Sequence, residues 1–206
     1  MSISTNPSFD LAHLGHVEIY SDKFDESLDF FMRVYGLKLS AMDENSAYLR
    51  AWYDYEFCTL KLTKSTTTGV GHIGYRVASP EALERRMAAI EASGYKTHGW
   101  VDGDLSHGRA FRFEDPFGHI FELYWDTNRT PNNDPAALKN MASRFTGVPP
   151  RRIDHVNLLA EDVSVFRDFM EISLGSRVTE MIQLDNRRIG GCWFTVNNKT
   201  YDLACT

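Results

Sequence analysis

"GVGHIGYRV", residues 69–77, is an apolar run of strand length opened by a histidine, His72. An imidazole gains little from such a position unless something binds it. The ordinary role of a lone histidine there is a core side chain with one satisfied hydrogen bond. His72 is not alone, however. "HLGHVEIYS" carries His16 at the head of a similar run, and "RIDHVNLLAEDV" carries His155.

Each run leads into a segment with helical spacing. Leu28, Phe31, Val34 and Tyr35 follow His16; Leu83, Met87 and Ile90 follow His72, with Pro80 at a first turn; Phe166, Phe169 and Met170 follow His155. Each helix then meets a glycine suited to a left-handed cap, Gly36, Gly94 and Gly175, at 20, 22 and 20 residues beyond the histidines. Three strand-like stretches follow every time: "LKLSAMD", "SAYLRAW" and "CTLKLT"; "KTHGWV", "RAFRFED" and "IFELYW"; "RVTEMIQ", "GGCWFTV" and "TYDLACT". The reading is an α+β protein built from a repeated βαβββ module, with a period suited to paired modules rather than a solenoid.

Two modules, about 10–64 and 69–127, make an N-terminal domain whose sheets are expected to join into a curved open barrel. The Asn-, Pro- and Thr-rich stretch 128–150 reads as a linker holding a short helix at 136–143. Residues 151–206 form a third module. A partner module for it is missing, so one apolar sheet face, including Leu158 and Leu159, is expected to lie uncovered.

Composition excludes several classes. A net charge of -6 with no long Lys/Arg cluster argues against nucleic acid, and no apolar run approaches the roughly 20 residues that span a bilayer. The N-terminus has neither a basic nor an apolar leader region. Three scattered cysteines, Cys58, Cys192 and Cys205, suit reduced thiols in a cytoplasm.

The strand-opening histidines, with "HIGYRV" and "EDPFGHIFELYW" closing the second module, resemble the vicinal oxygen chelate superfamily. Within it, "YLRAW", "SPEALERR", "DPFGHIFELYW", "DHVNLL" and "YDLA", in that order, are similar to the catechol 2,3-dioxygenases, two-domain extradiol ring-cleaving enzymes. The resemblance implies Fe(II), with Mn(II) as the alternative, binding a catechol and dioxygen and opening the ring to a 2-hydroxymuconic semialdehyde-type product. It also implies a homo-oligomer. The family holds its metal with a histidine opening module three, a histidine opening module four and a glutamate of module four. His155 matches the first and Asn157 accompanies it; module four is absent, so the other two ligands are not supplied. The family's usual acid–base histidine in "HDxA" is replaced by Tyr201, a phenol of ordinary pKa about 10 that donates a proton but is a poor base at neutral pH. Trp193 is the candidate for lining the substrate pocket.

A second trio stands in the N-terminal half. Pairing of modules one and two should gather His16, His72 and Glu122 on one sheet face, a set that leaves positions open for substrate and oxygen. A carboxylate within "IFELYW" needs a neutralising partner. The alternative is a vestige, because the resemblance implies an N-terminal half packed shut without metal. His107 is the counterpart of a histidine that donates a hydrogen bond behind the family's ligands. His13 is expected on the surface before the first strand. Two rivals stand beside the dioxygenase. One is a non-catalytic protein of the superfamily that binds a small molecule or metal. The other is a glyoxalase-type lyase or isomerase, disfavoured because "TLKL" supplies no acid at the end of module one.

Overall fold

A computed structural model describes residues 9–129 and 147–206; the helix expected at 136–143 lies outside them. All three strand–helix–strand units are present. The first contains β1 (Leu11–Ser21), α1 (Phe24–Asp29), β2 (Lys38–Met42), β3 (Ser46–Arg50) and β4 (Leu60–Lys64). The second contains β5 (Gly69–Val77), α2 (Pro80–Ser93), β6 (Thr97–Val101), β7 (Ala110–Glu114) and β8 (Ile120–Tyr124). The third contains β9 (Val156–Leu158), α3 (Val163–Leu174), β10 (Arg177–Gln183), β11 (Ile189–Thr195) and β12 (Leu203–Cys205).

The helix boundaries follow local chemistry. The Ser79 side chain caps α2 by accepting from the Ala82 amide, with Pro80 in the first turn, and Asp162 caps α3 through the Ser164 amide. Gly36, Gly94 and Gly175 adopt φ of 70°, 76° and 62°, the left-handed conformation that their spacing suggests. One helix departs from the pattern: α1 widens into a π turn over Phe30–Val34.

The first two units share one eight-stranded sheet in the order β2-β3-β4-β1-β5-β8-β7-β6. Its seam is the antiparallel pair β1–β5, and the order read outward from that seam is the same in both directions. Each final strand, β4 or β8, lies parallel to the opening strand of its own unit. β2 and β6 are edges, so the sheet stays open. Alternation divides its faces. Ile73, Tyr75, Phe111, Phe113, Phe121 and Leu123 join the apolar core, while His72, Glu122 and Arg112 point the other way.

The third unit forms its own sheet, β10-β11-β12-β9. The expectation that Leu158 lacks a partner is corrected: it is only 5% exposed, whereas Leu159 is 72% exposed. The reason is α3. Phe166, Phe169 and Met170 bury Leu158, Cys192, Phe194 and Leu203 in the same core that holds the second unit's aromatics. The Phe169 ring lies 5.0, 5.9 and 5.4 Å from those of Tyr95, Phe113 and Phe121. Burying one such ring stabilises by roughly 1.5–3 kcal/mol. A single core therefore runs through units two and three. No described helix is long and apolar enough to cross a membrane.

Candidate metal centre

A register row crosses four strands of the large sheet: His16 on β1 faces Gly74 on β5, Gly74 faces Glu122 on β8, and Glu122 faces Arg112 on β7. Gly74 leaves room there. A Cβ at that position would overlap the His16 ring. His16 can therefore lie across β5 and reach His72 and Glu122. The pairing predicted from the repeat is what brings the trio together.

The trio has a fourth member, Asp104, from the loop between β6 and β7. One donor atom from each of His16, His72, Asp104 and Glu122 lies within 4.8 Å of the others, the only such group among the described residues. The two imidazole Nε2 atoms are 2.9 Å apart. Asp104 Oδ2 is 3.3 Å from each of them. Glu122 Oε1 is 3.9 Å from His16 Nε2 and 3.7 Å from His72 Nε2. His16, His72 and Glu122 are fully buried and Asp104 is 8% exposed. Neither Asp104 Oδ2 nor Glu122 Oε1 has a hydrogen-bond partner.

Three of the four atoms turned away from this point are held, and His16 Nδ1 is buried without a partner. Glu18 Oε2 takes His72 Nδ1 at 2.8 Å, and Thr63 and Lys61 grip the other Glu18 oxygen at 2.7 and 3.1 Å. Lys61 Nζ lies 2.6 Å from Asp104 Oδ1, and Arg112 Nε donates to Glu122 Oε2 at 2.7 Å. Burial alone would push the His72 imidazole down; the adjacent Asp104 carboxylate, the bonded Glu18 carboxylate and the charge of Glu122 outweigh it and raise His72 to about 9. Burial likewise opposes ionisation of Glu18 and Asp104, yet the imidazoles hold both carboxyls low, Glu18 at about 2.

His107 sits beside this centre without bonding to it. Its ring stacks on Tyr124 at 4.2 Å and lies 5.0 Å from that of His16, and neither ring nitrogen has a partner. Burial and the neighbouring His16 depress its pKa to about 3. Glu18, not His107, is the residue that orients a histidine from behind. His13 belongs to β1 rather than to the surface before it, with Nε2 3.7 Å from Asp54.

Asp104, Glu18, Lys61 and Arg112 escaped the sequence reading. Three of them carried a signal, a charged residue alternating with apolar ones in "HVEIY", "TLKL" and "AFRFE". Asp104 lies in a loop that no periodicity specifies.

In the third unit His155 stands exposed just before β9, its Nδ1 2.8 Å from Asp154 Oδ2. The Tyr201 ring meets it edge-on at 4.7 Å. Asn157, Ala204 and Trp193 form one register row on the face away from α3. His155 with Tyr201, and Asn157 with Trp193, thus form two groupings at the small sheet.

Residues 70–128 match the family model described as the catechol 2,3-dioxygenase-like N-terminal domain. The chain is 41% identical over 202 residues to a metapyrocatechase of Geobacillus stearothermophilus, covering 96% of this chain and 61% of that protein. It is 31% identical over 200 residues to a manganese-dependent 2,3-dihydroxybiphenyl 1,2-dioxygenase of Geobacillus genomosp. 3, covering 95% and 63%. Among solved structures, a variant of homoprotocatechuate 2,3-dioxygenase from Brevibacterium fuscum is similar with a TM-score of 0.86 and 29% identity over 98% of this chain and 55% of that one. The chain therefore spans about 60% of the length of these curated relatives. The comparisons bear out the α+β fold of repeated βαβββ modules and the resemblance to extradiol dioxygenases.

Proposed function

We propose that the protein cleaves catechol-type rings by the extradiol route, consuming dioxygen at an Fe(II) or Mn(II) centre that takes His155 as one ligand. In this reading 1–127 is a supporting domain, 128–150 a linker and 151–206 the first module of a catalytic domain. The other two ligands come from a fourth module outside the 206 residues. A cytoplasmic homo-oligomer belongs to the same reading.

The observation that supports it is the contact of an exposed His155 with Tyr201, within a chain similar to dioxygenases along nearly all its length. With Nδ1 engaged by Asp154, His155 has Nε2 free to donate to a metal. When bound, the metal would supply a template holding the substrate oxygens and dioxygen side by side. This chain alone fits one ligand of that centre. Tyr201, at the edge of the His155 ring, holds a phenolic proton it can give to the ring-opened product. Trp193 offers a flat apolar wall for an aromatic ring.

The test is expression with the reading frame continued beyond Thr206, followed by anaerobic loading with Fe(II) or Mn(II). Oxygen uptake on adding catechol is expected, and His155→Ala should reduce it to background. Turnover that survives His155→Ala in the loaded protein would overturn the assignment.

A further inference from the structure

Ligand atoms about 2 Å from a tetrahedral centre lie about 3.3 Å from one another. Five of the six separations within the N-terminal quartet, 2.9, 3.3, 3.3, 3.7 and 3.9 Å, scatter around that value, and all six are within 4.8 Å. Two carboxylate oxygens aim at the centre with no hydrogen bond, in a place where leaving a buried polar atom unsatisfied is costly. The two facing Nε2 atoms can share at most one proton between them. With both imidazoles neutral, as metal ligation requires, Glu18, Asp104 and Glu122 bring three negative charges against the two of Lys61 and Arg112, so one is left over. A divalent cation would take both carboxylate oxygens and both nitrogens as ligands, and its charge more than offsets the one left over.

We propose that His16, His72, Asp104 and Glu122 bind one first-row divalent cation as a closed, structural centre. It ties unit one, through His16, to unit two, through the other three. This differs from the open trio expected from the repeat. Asp104 fills a further position, and burial leaves no approach for a substrate. Closed four-ligand sites are structural, whereas catalytic ones keep a position free. Three of the four ligands are supported from behind: the spare atom of His72 is fixed by Glu18, that of Asp104 by Lys61 and that of Glu122 by Arg112, while His16 Nδ1 has no partner. The proposal stands independently of the ring-cleavage reading, which uses His155.

The 206-residue chain, stripped with chelator, is titrated with Zn(II), Mn(II) and Co(II). One equivalent should bind, thermal unfolding should move upward by several degrees, and bound Co(II) should show the intense visible absorption of a four-coordinate site. Asp104→Asn and Glu122→Gln should each lose that equivalent, while His155→Ala keeps it. Should those two variants fail to fold, the Co(II) spectrum of the wild type decides alone. No bound metal, a weak six-coordinate spectrum, or an equivalent lost only in His155→Ala would each overturn the proposal. In the metal-free outcome the cluster is held by a proton on His72 instead.

Discussion

Lys61 occupies in unit one the position that Glu122 occupies in unit two. Each lies on the final strand of its unit, opposite the residue two beyond the strand-opening histidine: Lys61 faces Glu18, and Glu122 faces Gly74. The duplicated framework thus carries opposite charges at equivalent points, and the cation reaches across the seam to Asp104. Replacing it by methionine keeps the stem and removes the ammonium shared by two buried carboxylates, Glu18 and Asp104. Lys61→Met should cost about 3–5 kcal/mol, the usual price of removing one partner of a buried ion pair. Urea unfolding measures it; a loss below 1 kcal/mol would mean that water already screens the cluster.

Gly74 is tested by alanine. A methyl group there collides with the His16 ring, so Gly74→Ala must push the imidazole off the row. Overpacking of this kind destabilises by about 1–3 kcal/mol. Gly69→Ala, on the same strand with nothing within 4 Å of the added carbon, is the control and should be nearly silent. Equal effects for the two would show that strand flexibility, rather than the close approach, is being measured.

How much of this was legible beforehand depended on period. Alternation and helical spacing located all three units, and the glycine intervals located the left-handed caps at Gly36, Gly94 and Gly175. Repeat symmetry alone sufficed to bring His16, His72 and Glu122 together. Asp104 was not legible because a loop has no period to extrapolate. The burial of Leu158 was missed for another reason: the surface of α3 serves two units, and a pattern within one helix does not say how many neighbours it has.

Phe169 is the residue on which that double service rests. Phe169→Ala removes contacts with Tyr95, Phe113 and Phe121 in unit two and with Phe166 in unit three. A loss of about 3–5 kcal/mol is expected for so large a buried ring. Hydrogen exchange should accelerate in α2 and in α3 together. Acceleration confined to residues 151–206 would show that the two units are stabilised separately.

The three thiols give a pH-linked prediction. All are free and buried. Burial pushes Cys192 up to about 11 and Cys205 up to about 12, and it raises Cys58 further. Because the thiolate is the reactive form, the native chain should resist disulfide reagents at pH 8 and yield all three equivalents only in denaturant. The rate should begin to climb above pH 10, as Cys192 starts to ionise. Rapid labelling of the native chain at pH 8 would contradict the burial.

The continuous core also sets an order of events during synthesis. Phe113 and Phe121 are complete in the chain by Tyr124, yet α3, whose Phe169 packs on both, ends only at Leu174, 50 residues later. At about 5–20 residues per second, the ribosome takes about 2.5–10 seconds to supply that helix. Through this interval the nascent chain carries these aromatic side chains without the Phe169 ring that packs on them in the folded protein.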